Sequence, residues 1–141
     1  MKRLVEMVSE FHAAKGIRAP ALAEGISSAF ARTRLKTWSE LIREWSAELI
    51  AEYRVRVKRD DDPEAVMMQR LGFILEEQAE LLEAVADRSK VLAFDSMLDS
   101  CYFQVGTMLL CGMPPAEGIE EVHKSNMSKA ASSNDSRLVS K

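Results

Sequence analysis

The sequence predicts an all-α protein, a bundle of about five helices. Four prolines and six glycines are spread over 141 residues, so long stretches contain no residue that would end a helix. Apolar residues recur at helical spacing in these stretches. Few of the stretches are rich in the β-branched or aromatic residues that favour strands. With 47% hydrophobic residues, the chain is long enough to form one domain with its own core.

The first two predicted helices differ greatly in length. A short amphipathic helix is expected over residues 2–14, and Gly16 ends it. A loop over 17–25 then leads into a long helix from about 27 to 58. The apolar stripe of this second helix consists of Trp38, Leu41, Ile42, Trp45, Leu49 and Tyr53.

The third predicted helix has a well-marked start. Asp62 is a favourable N-cap residue, Pro63 suits the first helical position, and Glu64 complements the positive end of the helix dipole. We expect this helix to reach about Asp87.

An apolar helix over 91–113 follows, and a Gly-Met-Pro-Pro sequence ends it. A last short helix is expected from near Pro115 to around Ser125. Residues 130–141 contain too little apolar surface to fold alone, so we expect a flexible tail there and a single domain over 1–129.

Charge is distributed unevenly along the chain. Residues 1–59 hold twelve Lys/Arg and seven Asp/Glu, a net charge of +5, whereas residues 60–141 hold seven and fifteen, a net charge of −8. In the basic half the cations alternate with glutamates along the second helix, which is typical of a solvated face. No secretory signal pattern opens the sequence, so we expect a cytoplasmic protein that binds neither nucleic acid nor a membrane.

Two aspartates interrupt the apolar fourth helix. Asp95 and Asp99 are the only acidic or basic residues between positions 91 and 113, and the helix offers them no polar face. Burying an ionised carboxylate costs several kcal/mol unless a base or a metal ion compensates its charge. We therefore expect a cation to be supplied from elsewhere in the fold.

The third helix carries a row of acids opposite its apolar side. The row consists of Glu76, Glu80, Glu83 and Asp87. Taken alone, such a row is typical of a solvated face. Glu77 differs, because it lies at the border between the acidic row and the apolar side.

Two kinds of cation would satisfy the buried acids. One is Arg70, which lies seven residues before Glu77 on the same side of the third helix and would form a structural ion pair. The other is one or more divalent ions, held between the glutamates of the third helix and the aspartates of the fourth. Oxygen ligands without His or Cys favour Mg²⁺ or Mn²⁺ over Zn²⁺.

Motifs at four places combine into a recognisable order. The sequence reads VSEFH at 8–12, RLGFILEEQAELLEA at 70–84, DSMLDSCY at 95–102 and EVHKSNMSK at 121–129. Together they resemble the MazG-like all-α nucleoside triphosphate pyrophosphohydrolases, a superfamily that includes phosphoribosyl-ATP pyrophosphohydrolase. The resemblance implies that residues 1–129 are such a domain, that dimerisation completes its core, and that it cleaves nucleotides between the α and β phosphates with Mg²⁺.

The resemblance also implies which residues hold the metal. The superfamily has an ExxE motif on one helix and an ExxD motif on the next; Glu77 and Glu80 match the first, and Asp99 matches the end of the second. Ser96 stands where the second motif has its glutamate, and Asp95, one residue earlier, is the expected substitute. The implied metal ligands are Glu76, Glu77, Glu80, Asp95 and Asp99, with Glu77 and Glu80 also catalytic.

Substrate-binding residues are expected around the same two helices and in the last motif. The candidates are Arg70, Lys124 and Lys129 for phosphates, Asn126 for sugar or base, and Tyr102, which lies near Asp95. For Lys124 and Asn126, capping of a helix end is the alternative.

Three function classes are compatible with these observations. The first is a Mg²⁺-dependent nucleoside triphosphate pyrophosphohydrolase that forms a monophosphate and pyrophosphate, working as a homodimer or dimer of dimers to clear or balance deoxynucleotides. The second is phosphoribosyl-ATP pyrophosphohydrolase. The third is a catalytically silent helical dimerisation module, which remains a candidate because Ser96 stands where the superfamily has a glutamate. Residues 21–66 exceed the superfamily's usual link, and we expect their long helix to pack across the partner subunit.

Overall fold

The fold is all-α, as the sequence predicts. A computed structural model describes residues 1–17, 26–56 and 62–138, without the side chains of Arg56 and residues 132–138; the predicted loop over 17–25 lies largely outside this part. The helices are α1 (Lys2–Lys15), α2 (Ala29–Arg56), α3 (Pro63–Ala86), α4 (Lys90–Leu110) and α5 (Pro115–Leu138). Contacts divide the chain into two compact units, one holding α1 and α5 and the other α2, α3 and α4.

The predicted helix boundaries are largely confirmed by the caps. The Asp62 carboxylate accepts hydrogen bonds from the backbone N–H groups of Glu64 and Ala65, and so caps α3. Gly16 closes α1 with a φ of 64°, a left-handed conformation that glycine adopts without strain. Ser89 caps α4 through a hydrogen bond from the N–H of Leu92.

The predicted end of the last helix near Ser125 is wrong. The helix α5 continues to Leu138, and its sequence after Gly118 contains neither proline nor glycine to end it. Low hydrophobicity predicts weak tertiary packing, but it does not by itself stop backbone hydrogen bonding along a helix.

The helices α2 and α3 pack closely along small residues. At Gly72, an added Cβ would lie 2.7 Å from Cγ1 of Ile50 and 3.3 Å from the carbonyl oxygen of Ser46. Ser46 donates a hydrogen bond of 2.8 Å from its buried hydroxyl to the carbonyl of Gly72. Ser39 does the same to Ala79 at 2.9 Å. These contacts fix the rotation of α2, and thereby which of its side chains reach the acids of α3.

The helices α3 and α4 pack through a mixed polar and aromatic seam. Gln78 on α3 donates a hydrogen bond of 2.8 Å to the buried hydroxyl of Ser100 on α4. The rings of Phe73 and Phe103 pack with centroids 5.2 Å apart. The face that α4 turns toward α3 is therefore partly polar.

The unit formed by α1 and α5 has a small core of its own. Met7 is its largest fully buried side chain. Arg3 on α1 donates a hydrogen bond of 2.9 Å from Nε to Oε1 of Glu120 on α5, and His123 Nε2 lies 3.3 Å from Oε2 of Glu10.

Candidate functional site

Glu77 occupies the most unusual electrostatic position in the unit formed by α2, α3 and α4. Its Oε2 is buried, and no donor among the described residues reaches it. Burial and, after it, the negative charges of its neighbours together raise the pKa of Glu77 from 4.5 to about 6. Those neighbours are Glu80, Asp99, Glu76 and Asp95, in decreasing order of effect. The sequence-predicted acids therefore share one neighbourhood around Glu77.

The expectation that Asp95 and Asp99 are buried is wrong for the single chain, because both side chains are exposed. The buried positions of α4 are Ser96 and Ser100. The helix turns a stripe of small polar residues toward α3, and the aspartates lie at the edge of that stripe. They consequently need no base to compensate them, yet they remain close enough to raise the pKa of Glu77.

Arg70 does not form the ion pair that would explain the acids structurally. Its guanidinium lies across α4, where Nε donates to the hydroxyl of Thr107 at 3.2 Å and Nη2 donates to the carbonyl of Phe103 at 3.1 Å. It also stacks on the Phe103 ring, 5.3 Å from the centroid. Gly106 makes room for this arrangement, since a Cβ there would collide with the guanidinium.

Sequence reasoning missed the base closest to the acids, Arg43 on α2. Arg43 Nη2 lies 2.5 Å from Oε2 of Glu83, and Nη1 lies 3.9 Å from Oε1 of Glu80. Seven residues before Arg43 on α2, Lys36 Nζ lies 2.6 Å from Oδ1 of Asp87. The signal was present in the sequence: the two bases are seven residues apart on α2, and so are two of the acids, Glu80 and Asp87, on α3.

Two cavities open along these helices. One, of about 270 Å³, is lined by Arg43, Glu80, Glu83, Ala84, Asp87, Leu92, Asp95 and Ser96. The other, of about 490 Å³, is lined by Arg43, Ser46, Ala47, Ile50, Ala51, Arg54 and Glu76. Glu80 and Asp95 thus face the smaller cavity, whereas Glu76 faces the larger one.

The donor set around Glu77 fits a hard divalent cation. A metal ion would satisfy the buried Oε2 of Glu77, which no donor among the described residues reaches, and the acidic neighbours would supply further oxygen ligands. Within the described ranges, no three Asp, Glu, His or Cys side chains converge into a metal-binding group. Mutual repulsion among the acids and the contact of Glu80 with Arg43 both oppose such convergence.

The remaining predicted substrate-binding residues lie in different parts of the chain. Tyr102 projects from α4 and is 76% exposed. Three others lie on α5, in the other unit. Lys124 Nζ contacts Glu121 at 2.5 Å, Asn126 lines a small cavity between α1 and α5, and the carbonyl of Lys129 accepts a hydrogen bond from Lys15. None of the described helices is long and apolar enough to cross a membrane.

Comparison with known proteins identifies a family for part of the chain. No curated protein and no solved structure matches the chain. The family model of phosphoribosyl-ATP pyrophosphohydrolase matches residues 57–126, a stretch that contains all of α3 and α4 and the first half of α5. This family supports a nucleotide pyrophosphohydrolase kind of activity. Through residues 57–126, the chain belongs to the MazG-like all-α nucleotide pyrophosphohydrolase superfamily.

Proposed function

We propose that the protein is a Mg²⁺-dependent nucleoside triphosphate pyrophosphohydrolase, which converts a nucleoside or deoxynucleoside triphosphate into the monophosphate and pyrophosphate. The observation that carries this proposal is the buried, unpartnered Oε2 of Glu77, surrounded by Glu80, Asp99, Glu76 and Asp95. These acids all lie in the segment that matches the pyrophosphohydrolase family. As the family resemblance implies, we propose a role in clearing or balancing deoxynucleotides.

The acids of α3 and α4 would hold the cation. Glu77 and Glu80 would bind it from α3 and Asp99 from α4, with Glu76 and Asp95 as adjacent carboxylates. A bound divalent ion neutralises the phosphate charge that develops during the reaction. Mn²⁺ has similar ligand preferences and would replace Mg²⁺.

One of Glu77 and Glu80 also orients the attacking water. The water oxygen forms a bond to the α-phosphorus, the bond from that phosphorus to the bridging oxygen breaks, and pyrophosphate leaves. The water's proton passes to the orienting carboxylate.

Two other residues are proposed to hold the substrate. Arg70 would bind phosphates and Tyr102 would contact the nucleotide beside Asp95. Lys124 and Lys129 for phosphates and Asn126 for sugar or base belong to the other unit and stay predictions from the sequence. For Arg70, this role requires the guanidinium to leave the carbonyl oxygen of Phe103, because Nη2 donates a hydrogen bond to that oxygen in the structure.

Phosphoribosyl-ATP is the second candidate substrate, because the matching family bears the name of that activity. Both candidates share the cleaved bond, between the α and β phosphates. A catalytically silent dimerisation module is the third possibility, and it predicts no hydrolysis of either compound.

A substrate panel tests the proposal directly. The purified chain is incubated with each ribo- and deoxyribonucleoside triphosphate and with phosphoribosyl-ATP, with Mg²⁺ or with EDTA, and products are separated by anion-exchange chromatography. We expect monophosphate and pyrophosphate with Mg²⁺ only. Orthophosphate as the sole inorganic product would contradict the mechanism, and hydrolysis restricted to phosphoribosyl-ATP would select the second candidate.

We also propose that the protein works as a dimer. Apolar side chains are exposed along α4 and at the tryptophans of α2; they include Phe94, Leu98, Leu109, Trp38 and Trp45. Large exposed apolar surfaces on a single chain usually mark an interface. Light scattering should give about twice the chain mass of 15.8 kDa, whereas a fully active monomer would contradict the dimer.

A further inference from the structure

The larger cavity, of about 490 Å³, is a feature that the acidic centre does not explain. It lies between α2 and α3, and most of its wall comes from α2, outside the segment that matches the family model. Its volume lies in the range typical of small-molecule sites. Two of its lining residues, Arg43 and Arg54, are cationic, and three are apolar or small: Ala47, Ile50 and Ala51.

Arg43 connects this groove to the acidic centre. It lines the larger cavity, and it also lines the smaller one beside Glu80 and Asp95. At that boundary, Arg43 would lie beside the phosphates of a nucleotide held by the proposed cation. Its planar guanidinium can bind two phosphate oxygens at once. Arg43 is therefore placed to hold phosphates that the acids alone would repel.

The rest of the groove has the chemistry of a nucleoside site. Arg43 and Arg54 are eleven residues apart, about 16 Å along the helix axis, which is too far for both to hold one phosphate group. Between them, the wall of Ala47, Ile50 and Ala51 offers an apolar surface for a base. Glu76 lies on the α3 wall at the border of the acidic centre, where a carboxylate oxygen that does not hold the cation can accept a hydrogen bond from a sugar hydroxyl.

We propose that the groove between α2 and α3 is the nucleotide-binding cleft, in which Arg43 binds phosphate oxygens and the apolar wall of α2 packs against the base. The proposal rests on the proposed function, because it assumes that the substrate is a nucleotide whose phosphates reach the acidic centre. It gives the long second helix, which the family model does not cover, a direct role in substrate binding.

The ion pair between Arg43 and Glu83 supplies a discriminating pair of variants. Arg43→Gln and Glu83→Gln break the same 2.5 Å contact from opposite sides. If Arg43 only stabilises the fold, both variants behave alike. If it binds phosphate, Arg43→Gln raises KM about 10- to 100-fold, in line with the loss of a charge-assisted hydrogen bond, while kcat changes little. Glu83→Gln frees the guanidinium and leaves KM equal or lower.

Two further variants complete the set. Arg34→Gln is the control, because Arg34 stacks on Trp38 on the same helix and lines neither cavity. Ala47→Leu adds bulk to an exposed position on the groove wall, so the fold tolerates it while the cleft narrows. We expect Ala47→Leu to raise KM, and Arg34→Gln to match the wild type.

Binding without turnover separates this proposal from the proposed function. Titration calorimetry measures binding of an α,β-methylene triphosphate analogue in Mg²⁺, and of Mn²⁺ alone. We expect Arg43→Gln to weaken the analogue but not Mn²⁺, because it removes a positive charge near the metal ligands. Arg43→Lys should recover part of the analogue's affinity.

The outcomes are distinguishable. A wild type that hydrolyses triphosphates, with Arg43→Gln and Ala47→Leu unchanged in KM and in analogue affinity, would overturn this proposal alone. If the wild type binds the analogue through Arg43 but releases pyrophosphate from none of the natural triphosphates, the proposed function alone would be overturned. Equal defects in Arg43→Gln and Glu83→Gln would show a structural role for the ion pair and overturn the phosphate contact.

Discussion

The two sides of α3 carry the same kind of residue in opposite electrostatic settings. On the α2 side, acids face bases: Asp87 contacts Lys36, and Glu83 contacts Arg43. On the α4 side, Glu77 faces Asp95 and Asp99, and its pKa is raised to about 6. Among the described residues, no basic side chain contacts Glu77 or these aspartates.

On the proposed function, the difference separates acids of the surface from acids of a site. A carboxylate paired with an exposed base contributes little to stability, and the base already compensates its negative charge. A half-buried carboxylate among like charges is unfavourable in the free protein, and the proposed cation would offset that cost. Glu80 stands between the two settings, because it faces Arg43 at 3.9 Å and also acts on Glu77.

The largest effect is expected for Glu77→Gln. This change keeps the shape of the side chain but removes the charge of the central ligand, so activity should fall about 10²- to 10³-fold. The metal-free protein should be at least as stable as the wild type near neutral pH, because a buried negative charge disappears. Pyrophosphate release and urea unfolding in EDTA measure the two effects, and full activity would refute the site.

Asp99→Asn is expected to lower activity roughly 10- to 100-fold, less than Glu77→Gln, because Asp99 is exposed and Asp95 remains beside it. Its helical circular dichroism should be unchanged. Lys36→Gln breaks a 2.6 Å ion pair on the α2 side and serves as the control, with activity near that of the wild type. An inactive Lys36→Gln together with a fully active Asp99→Asn would show that activity depends on the ion pairs with α2 and not on the acids of α4.

The two glycines of the helix seams should differ in stability. Gly72→Ala forces a methyl group against Ile50 and the backbone of Ser46, so we expect a loss of about 1–3 kcal/mol. At Gly106, the methyl group meets only the end of the flexible Arg70 side chain, so Gly106→Ala should cost less than about 1 kcal/mol. Chemical unfolding measures both, and equal losses would show that α3 packs against α2 and α4 with similar tightness.

The pH dependence of the metal-free protein is expected to be modest. The folded-state pKa of Glu77, about 6, exceeds its ordinary value of 4.5, so its contribution to stability is fully present below about 4.5 and is lost as the pH rises through 6. The loss amounts to at most about 2 kcal/mol, since one pKa unit corresponds to about 1.4 kcal/mol.

Urea unfolding in EDTA at pH 5 and pH 7.5 measures this loss. The stability difference between wild type and Glu77→Gln should grow at the higher pH. A difference independent of pH would show that Glu77 titrates normally.

Local sequence signals predicted the helices well. Asp62 and Gly16 mark helix ends through their own side-chain and backbone chemistry, and both predictions are confirmed. The end of α5 was missed because composition, used to predict the tail, does not determine backbone hydrogen bonding. The burial of Asp95 and Asp99 was also predicted wrongly, because a helical wheel shows which residues share a face but not which face a neighbouring helix covers.

The acidic centre could be predicted in part. The spacing of Glu77 and Glu80 and the position of Asp99 indicated a shared neighbourhood, which the raised pKa of Glu77 reflects. Arg43 was not predicted, since its contact with Glu83 depends on the register between α2 and α3. That register is set by the contacts of Ser39, Ser46 and Gly72, which the sequence alone does not reveal.

Binding of Mn²⁺, followed by electron paramagnetic resonance, tests the central claim most directly. The claim is that Glu77 and the acids around it form a cation site, and that Glu83 and Asp87, which are paired with bases of α2, do not. We predict that the wild type takes up Mn²⁺, that Glu77→Gln loses most of this binding, and that Lys36→Gln retains it. Absence of Mn²⁺ binding by the wild type, or equal binding by the wild type and Glu77→Gln, would contradict the claim.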